Sequence, residues 1–131
     1  MINPLAPVLQ LPSDAQTVRW GELYGSGPAY FLAEAAVAAV APLLVVASSG
    51  READQYLSEL RFFTAGRVGL WSFPDRETLA YDPFSPHPDI VSERLRTLAS
   101  LGDLYRGIIV TTQAALLDRL PPRAFIEAHA F

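Results

Sequence analysis

The sequence predicts an α/β protein of three layers, with a mainly parallel sheet of about four strands flanked by helices. Three observations lead there. Short runs such as Leu43–Ala47 and Ile108–Thr112 are apolar or β-branched throughout, as in strands covered on both faces. Longer stretches with helical character separate them, and this β/α alternation is the signature of parallel strands joined by right-handed crossovers. Half of the 131 residues are hydrophobic and 18% are charged. That supports one real core, in a chain too short for two ordinary domains.

The elements follow in order. Residues 1–17 are Pro-rich and read as a lead-in segment. Val18–Tyr24 has strand character and ends in Gly25-Ser26-Gly27. Pro28 suits the first turn of a helix, where its missing N–H costs nothing, and the Ala-rich stretch to Val40 continues that helix. Leu43–Ala47 is the second strand. Ser48 or Ser49 offers an N-cap for a helix over Arg51–Phe63, with Leu57, Leu60 and Phe63 facing inward. Val68–Phe73 is the third strand, stopped by Pro74. A loop punctuated by Pro83, Pro86 and Pro88 leads to a helix capped by Asp89, with Ile90, Leu95 and Leu98 buried. Gly107 precedes a fourth strand at Ile108–Thr112, and Gln113–Leu120 reads as helix before Pro121-Pro122. An α/β subdomain over 18–120 is expected. Residues 121–131 resume an apolar pattern and read as the start of a connection to a following subdomain.

Composition excludes some functions. The formal net charge of −4 disfavours autonomous binding to phosphate backbones. Without cysteine there is no disulfide scaffold or thiolate zinc site, which fits a reducing cytoplasm. The near-apolar run Phe31–Ala47 holds Glu34 and is cut by Pro42 into pieces too short for a ~30 Å bilayer core.

Three constellations could carry chemistry. Gly25-Ser26-Gly27 lies where open α/β proteins cradle phosphate, but a working loop needs Lys then Ser/Thr after its second glycine, and Pro28 and Ala29 stand there. Glu22 falls at the first glycine's place. No cofactor is expected on this vestigial turn. Asp75, Glu77, Asp82 and Asp89, with His87, crowd the Pro-rich loop, yet without fixed ligand spacing, and caps and turns explain Asp82 and Asp89. Neither a metal nor a catalytic site is expected there. Ser92, His87 and Asp89 lack the strained turn of a nucleophile elbow. Glu93, Arg94 and Arg96 read as a solvated face. An alternative for Arg94 is a local ion pair back to the acidic loop, worth little if exposed. Trp20, Trp71 and Phe73 read as packing residues, because no basic groove accompanies them.

Three phrases carry a family resemblance: Phe73-Pro74-Asp75-Arg76-Glu77-Thr78-Leu79, Tyr81-Asp82-Pro83-Phe84-Ser85-Pro86-His87, and Asp89-Ile90-Val91-Ser92-Glu93-Arg94-Leu95. With Leu23–Ala29 and Glu59–Phe63, they make residues 18–131 resemble the N-terminal, UvrB-like module of bacterial transcription-repair coupling factors (Mfd). Arg76 departs from that family's usual tryptophan. The resemblance implies a degenerate P-loop NTPase fold and a non-catalytic scaffold, the first subdomain of a larger ATP-driven translocase on double-stranded DNA. Such a parent dislodges stalled RNA polymerase and recruits the excision-repair protein UvrA, mainly through the following subdomain. ATP and magnesium would serve its downstream motor. It also implies intramolecular contacts to the next subdomain. The rival expectations are an active UvrB-type nucleotide enzyme and an unrelated α/β binding domain.

Overall fold

A computed structural model describes residues 15–78, 83 and 85–129. Helix α1 (Gly27–Ala38) is followed by strand β1 (Leu43–Ala47), helix α2 (Gly50–Thr64) and strand β2 (Leu70–Phe73). Helix α3 (Pro88–Ser100) runs into a 3-10 turn at Leu101–Asp103. Strand β3 (Ile108–Thr112), the short helix α4 (Gln113–Leu117) and helix α5 (Arg123–His129) complete the order. Among the described residues the sheet has three strands, all parallel, in the order β1-β3-β2. Val110 pairs with Val45 on one side and with Ser72 on the other. Every position of β3 is buried, as its continuous apolar run predicts for a central strand.

The α/β class, the parallel sheet and the flanking helices agree with the sequence. The first expected strand does not form. Val18–Tyr24 is irregular, and all of it but Leu23 is exposed. Glu22 takes a left-handed φ of 59°, which breaks an extended run, so the segment cannot keep a ladder going. Among the described residues the count is therefore three strands rather than four.

The two faces of the sheet differ. On one, α1 and α2 close a core of Ala29, Ala33, Val45, Leu60, Ile108 and Val110. Leu60 and Ile108 are fully buried, each worth about 1.5–3 kcal/mol of apolar transfer. Small alanines let α1 lie close to α2. On the other face α3 covers β2 and β3, where Phe73, Ile109 and Ala115 meet Trp71, Leu98 and Leu104. Among the described residues nothing covers the β1 side of this face: Leu44 is 55% exposed and Val46 44%. Leu44 borders an apolar groove of about 280 Å³ reaching Leu98, Ile109 and Leu116.

Capping explains the helix starts. Ser49 Oγ accepts the amide of Glu52 at 3.2 Å, and the Glu52 carboxylate returns to the amide and hydroxyl of Ser48, both at 2.6 Å. At the other end of α2, Arg67 donates to the carbonyls of Phe63 and Thr64 and pairs with Glu34 at 2.7 Å. For α3 the expected cap is wrong by two residues. The ring Nδ1 of His87 accepts the amide of Asp89 at 3.3 Å, and Asp89 sits in the first turn, where a carboxylate favours the helix dipole. Helix α4 ends at Leu117 rather than Leu120, and residues 123–129 form a helix that packs against α3.

Candidate functional site

Strand β2 lies at the edge of the sheet and ends on Pro74. At this end of β2 three consecutive carbonyls, those of Ser72, Phe73 and Pro74, each accept a side-chain donor. Thr97 Oγ1 donates to the Ser72 carbonyl at 2.5 Å, Thr111 Oγ1 to that of Phe73 at 2.8 Å, and Arg94 Nη1 to that of Pro74 at 2.5 Å. Arg94 and Thr97 are three residues apart on α3 and so share one face of the helix. Both are buried. The phrase at 73–98 thus closes on itself, its helical end gripping its strand end.

Arg94 is the centre of this arrangement. Its guanidinium lies 4.1 Å over the Phe73 ring, and Nη2 is 3.1 Å from Asp118 Oδ2. The same oxygen takes Arg76 Nε at 3.6 Å. Asp118 Oδ2 is buried and lacks an aligned hydrogen bond, so its ion pairs are what balance it. Burial pushes the Arg94 guanidinium below its ordinary range, and Asp118 opposes that shift. Arg94 is therefore not on a solvated face. Its local spacing marks the error: Ile90, Arg94, Thr97 and Leu98 fall on one stripe, and an arginine there was the signal to read.

The other loop residues have separate roles. Asp75 Oδ1 accepts the amide of Glu77 at 2.9 Å, closing a turn in which Glu77 has φ 56°, and Oδ2 lies 3.5 Å from Thr112 Oγ1. His87 and Asp89 approach at 3.4 Å, both well exposed, at the mouth of α3. Ser92 is exposed on α3 itself. Tyr81, Asp82 and Phe84 lie outside the described residues. Among those described, no group of three or more histidines and carboxylates is arranged to hold a metal ion.

The glycine turn lies apart from this arrangement, against α2. Gly25 has φ 57°, the Gly27 amide donates to the Tyr24 carbonyl at 3.0 Å, and Pro28 has no amide hydrogen to offer. Ala29 is fully buried in the core. The cleft beside the turn, about 200 Å³, is lined by Pro28, Tyr56 and two carboxylates, Glu52 and Glu59. Glu59 Oε1 accepts Ser26 Oγ at 3.1 Å and Gln55 Nε2 at 3.0 Å. The Ser48 hydroxyl and amide hold the Glu52 carboxyl below the usual range. Burial, and then the charges of Glu52 and Glu59, push the Tyr56 phenol up. A phosphate placed here would meet anions where a P-loop supplies a cation. Sequence reasoning picked out Gly25, Ser26, Gly27, Pro28 and Ala29 but missed Glu52 and Glu59, which come from α2.

No family model matches the chain. Its similarity is to curated proteins named transcription-repair-coupling factor. It is 37% identical to the one of Escherichia coli over 110 residues, 84% of this chain and 9% of that protein. It is 34% identical to that of Myxococcus xanthus over 134 aligned residues, 98% of the chain and 11% of the relative. The Mycobacterium bovis protein is 37% identical over 109 residues, 77% of the chain and 9% of that protein. The chain thus spans about a tenth of the length of the curated relatives it matches. By sequence it belongs with the transcription-repair-coupling factors, as a counterpart of one segment of them.

Proposed function

We propose that the chain is a non-catalytic scaffold, the first, UvrB-like subdomain of a coupling factor whose ATP-driven motor lies elsewhere. In this reading the parent translocates on double-stranded DNA, displaces stalled RNA polymerase and brings in UvrA. The observation that carries the scaffold role is the glycine turn: Pro28 replaces a donor, Ala29 is buried, and Glu52 and Glu59 face the place where phosphate would sit. A sheet whose β2 end is tied down by Arg94 suits the positioning of neighbouring subdomains better than it suits turnover.

Calorimetric titration with ATP and magnesium tests this directly. The scaffold reading expects no saturable heat up to millimolar nucleotide. Micromolar binding that Gly27→Val abolishes would replace it with a UvrB-type nucleotide site. A pull-down with UvrA, comparing the chain with one extended by the following subdomain, tests the partner assignment. Capture is expected for the extended chain.

A further inference from the structure

One flank of α3 borders a second groove, of about 450 Å³, between α3 and the segment leading into α5. Its floor is apolar: Val91, Leu95, Leu98, Leu120 and Phe125. Val91, Leu120 and Phe125 are 41%, 56% and 47% exposed, so the floor is open to solvent. Its charged lining is of one sign, from Arg76, Arg94 and Arg119. The nearest acids are already engaged. Asp118 lies beneath Arg94 and Arg76 with its Oδ2 buried, and Asp75 turns to the Glu77 amide and Thr112. Arg76 Nη2 also rests on the Arg119 carbonyl at 3.4 Å, which orients its guanidinium. Arg119 makes no ion pair among the described residues.

We infer that this groove docks an acidic amphipathic segment of a protein partner, its apolar side chains on Leu95, Leu98 and Phe125 and its carboxylates on Arg76 and Arg119. Charge complementarity commits the occupant. A chain of net charge −4 gathers three arginines around one apolar trough, so an anionic ligand is favoured there and repelled by most of the remaining surface. The trough distinguishes a peptide from a nucleic acid, which would need a basic track with stacking faces rather than aliphatic side chains. This goes beyond the scaffold role by naming a surface and a partner chemistry.

The test uses the 131-residue chain and a fluorescein-labelled helical peptide of leucine and glutamate, with leucines at i, i+4 and i+7. A twin peptide carrying glutamine for every glutamate is the control. Anisotropy is expected to show saturable binding that weakens between about 50 and 200 mM salt, because rim ion pairs are screened over that range. Arg119→Glu should weaken binding several-fold and Arg76→Glu with Arg119→Glu about tenfold, from rim pairs worth up to about 1 kcal/mol each. Circular dichroism and urea midpoints of the exposed Arg119→Glu variant verify that the fold is intact. Equal affinity for the glutamine peptide, indifference to Arg119→Glu, or no saturation at millimolar peptide would overturn the proposal. So would a single-stranded oligonucleotide that binds more tightly than the peptide and shows the same variant sensitivity.

Discussion

Arg94→Ala should be among the most destabilising single changes in this chain. It removes the donor to the Pro74 carbonyl at 2.5 Å, a hydrogen bond from a charged group worth about 1.5–3 kcal/mol. It strips the cation from the Phe73 ring, about 0.5–2 kcal/mol. It also leaves Asp118 Oδ2 buried with only Arg76, at 3.6 Å, to balance it. Removing one partner of a buried pair costs about 3–5 kcal/mol. Asp118 is about a third exposed and relieves part of that, and the three losses overlap, so a total of about 3 kcal/mol is expected. With a urea m-value of about 1.5 kcal/mol/M, the unfolding midpoint should fall by roughly 2 M. Arg94→Lys should recover little of the loss, because a single ammonium cannot serve carbonyl, carboxylate and ring at once. The pair Arg94→Met with Asp118→Leu should be closer to wild type than Arg94→Ala, since both charges are then gone. Urea denaturation followed by far-UV circular dichroism measures each. A loss below about 1 kcal/mol for Arg94→Ala, the range of an exposed ion pair, would refute the burial argument.

Glu52 is held ionised by Ser48, so its folded pKa lies below that of the unfolded chain, about 4.3. Its contribution is full above that value and is lost as pH falls through the lower folded one. Glu52→Gln should therefore flatten the acid limb of the stability profile below about pH 4.3, measured by urea midpoints against pH. Gly107 has φ 146°, and a Cβ there would meet the Gly69 carbonyl oxygen at 2.8 Å and the Trp71 ring. Gly107→Ala should cost about 1–3 kcal/mol in the same assay, because the obstruction is partly backbone. The uncovered β1 side, with Leu44 and Val46 exposed, should make the isolated chain self-associate. Light scattering should show mass rising with concentration, and Val46→Lys should reduce it; a clean monomer at high concentration would contradict it.

Much of this architecture was legible. Continuous apolar runs located β1 and β3, but only β3 is the central strand buried on both faces; β1 is an edge strand with Leu44 and Val46 exposed, contrary to the burial its run suggested. Ser48 or Ser49 marked the start of α2, and Ser49 is the cap. What misled was any feature whose role depends on a partner distant in sequence. Val18–Tyr24 has strand-like composition, but composition cannot reveal that Glu22 turns left-handed and ends the run. Asp118 lies beyond the strand that follows the loop and acquires meaning only when α3 brings Arg94 to it. Glu52 and Glu59 face the glycine turn only because α2 packs beside α1. Arg94 itself was readable, since its position between Ile90 and Leu98 outweighs its charge.

The long phrase at 73–98 is explained by bonding demands rather than by catalysis. Edge strand β2 stops at Phe73 before Pro74, and the carbonyls of Ser72, Phe73 and Pro74 call for side-chain donors there, since buried carbonyls must be satisfied. Thr97, Thr111 and Arg94 satisfy them. Arg94 in turn demands an anion, and Asp118 supplies it. Phe73 must then be aromatic to receive the guanidinium, and positions 94 and 97 must keep their three-residue spacing. Each choice constrains the next, so a lone change to any member leaves a buried polar group unmet. A phrase under that many mutual constraints can identify a family without holding its chemistry, while the rim of the groove beside α3, formed by Arg76 and Arg119, stays free to differ.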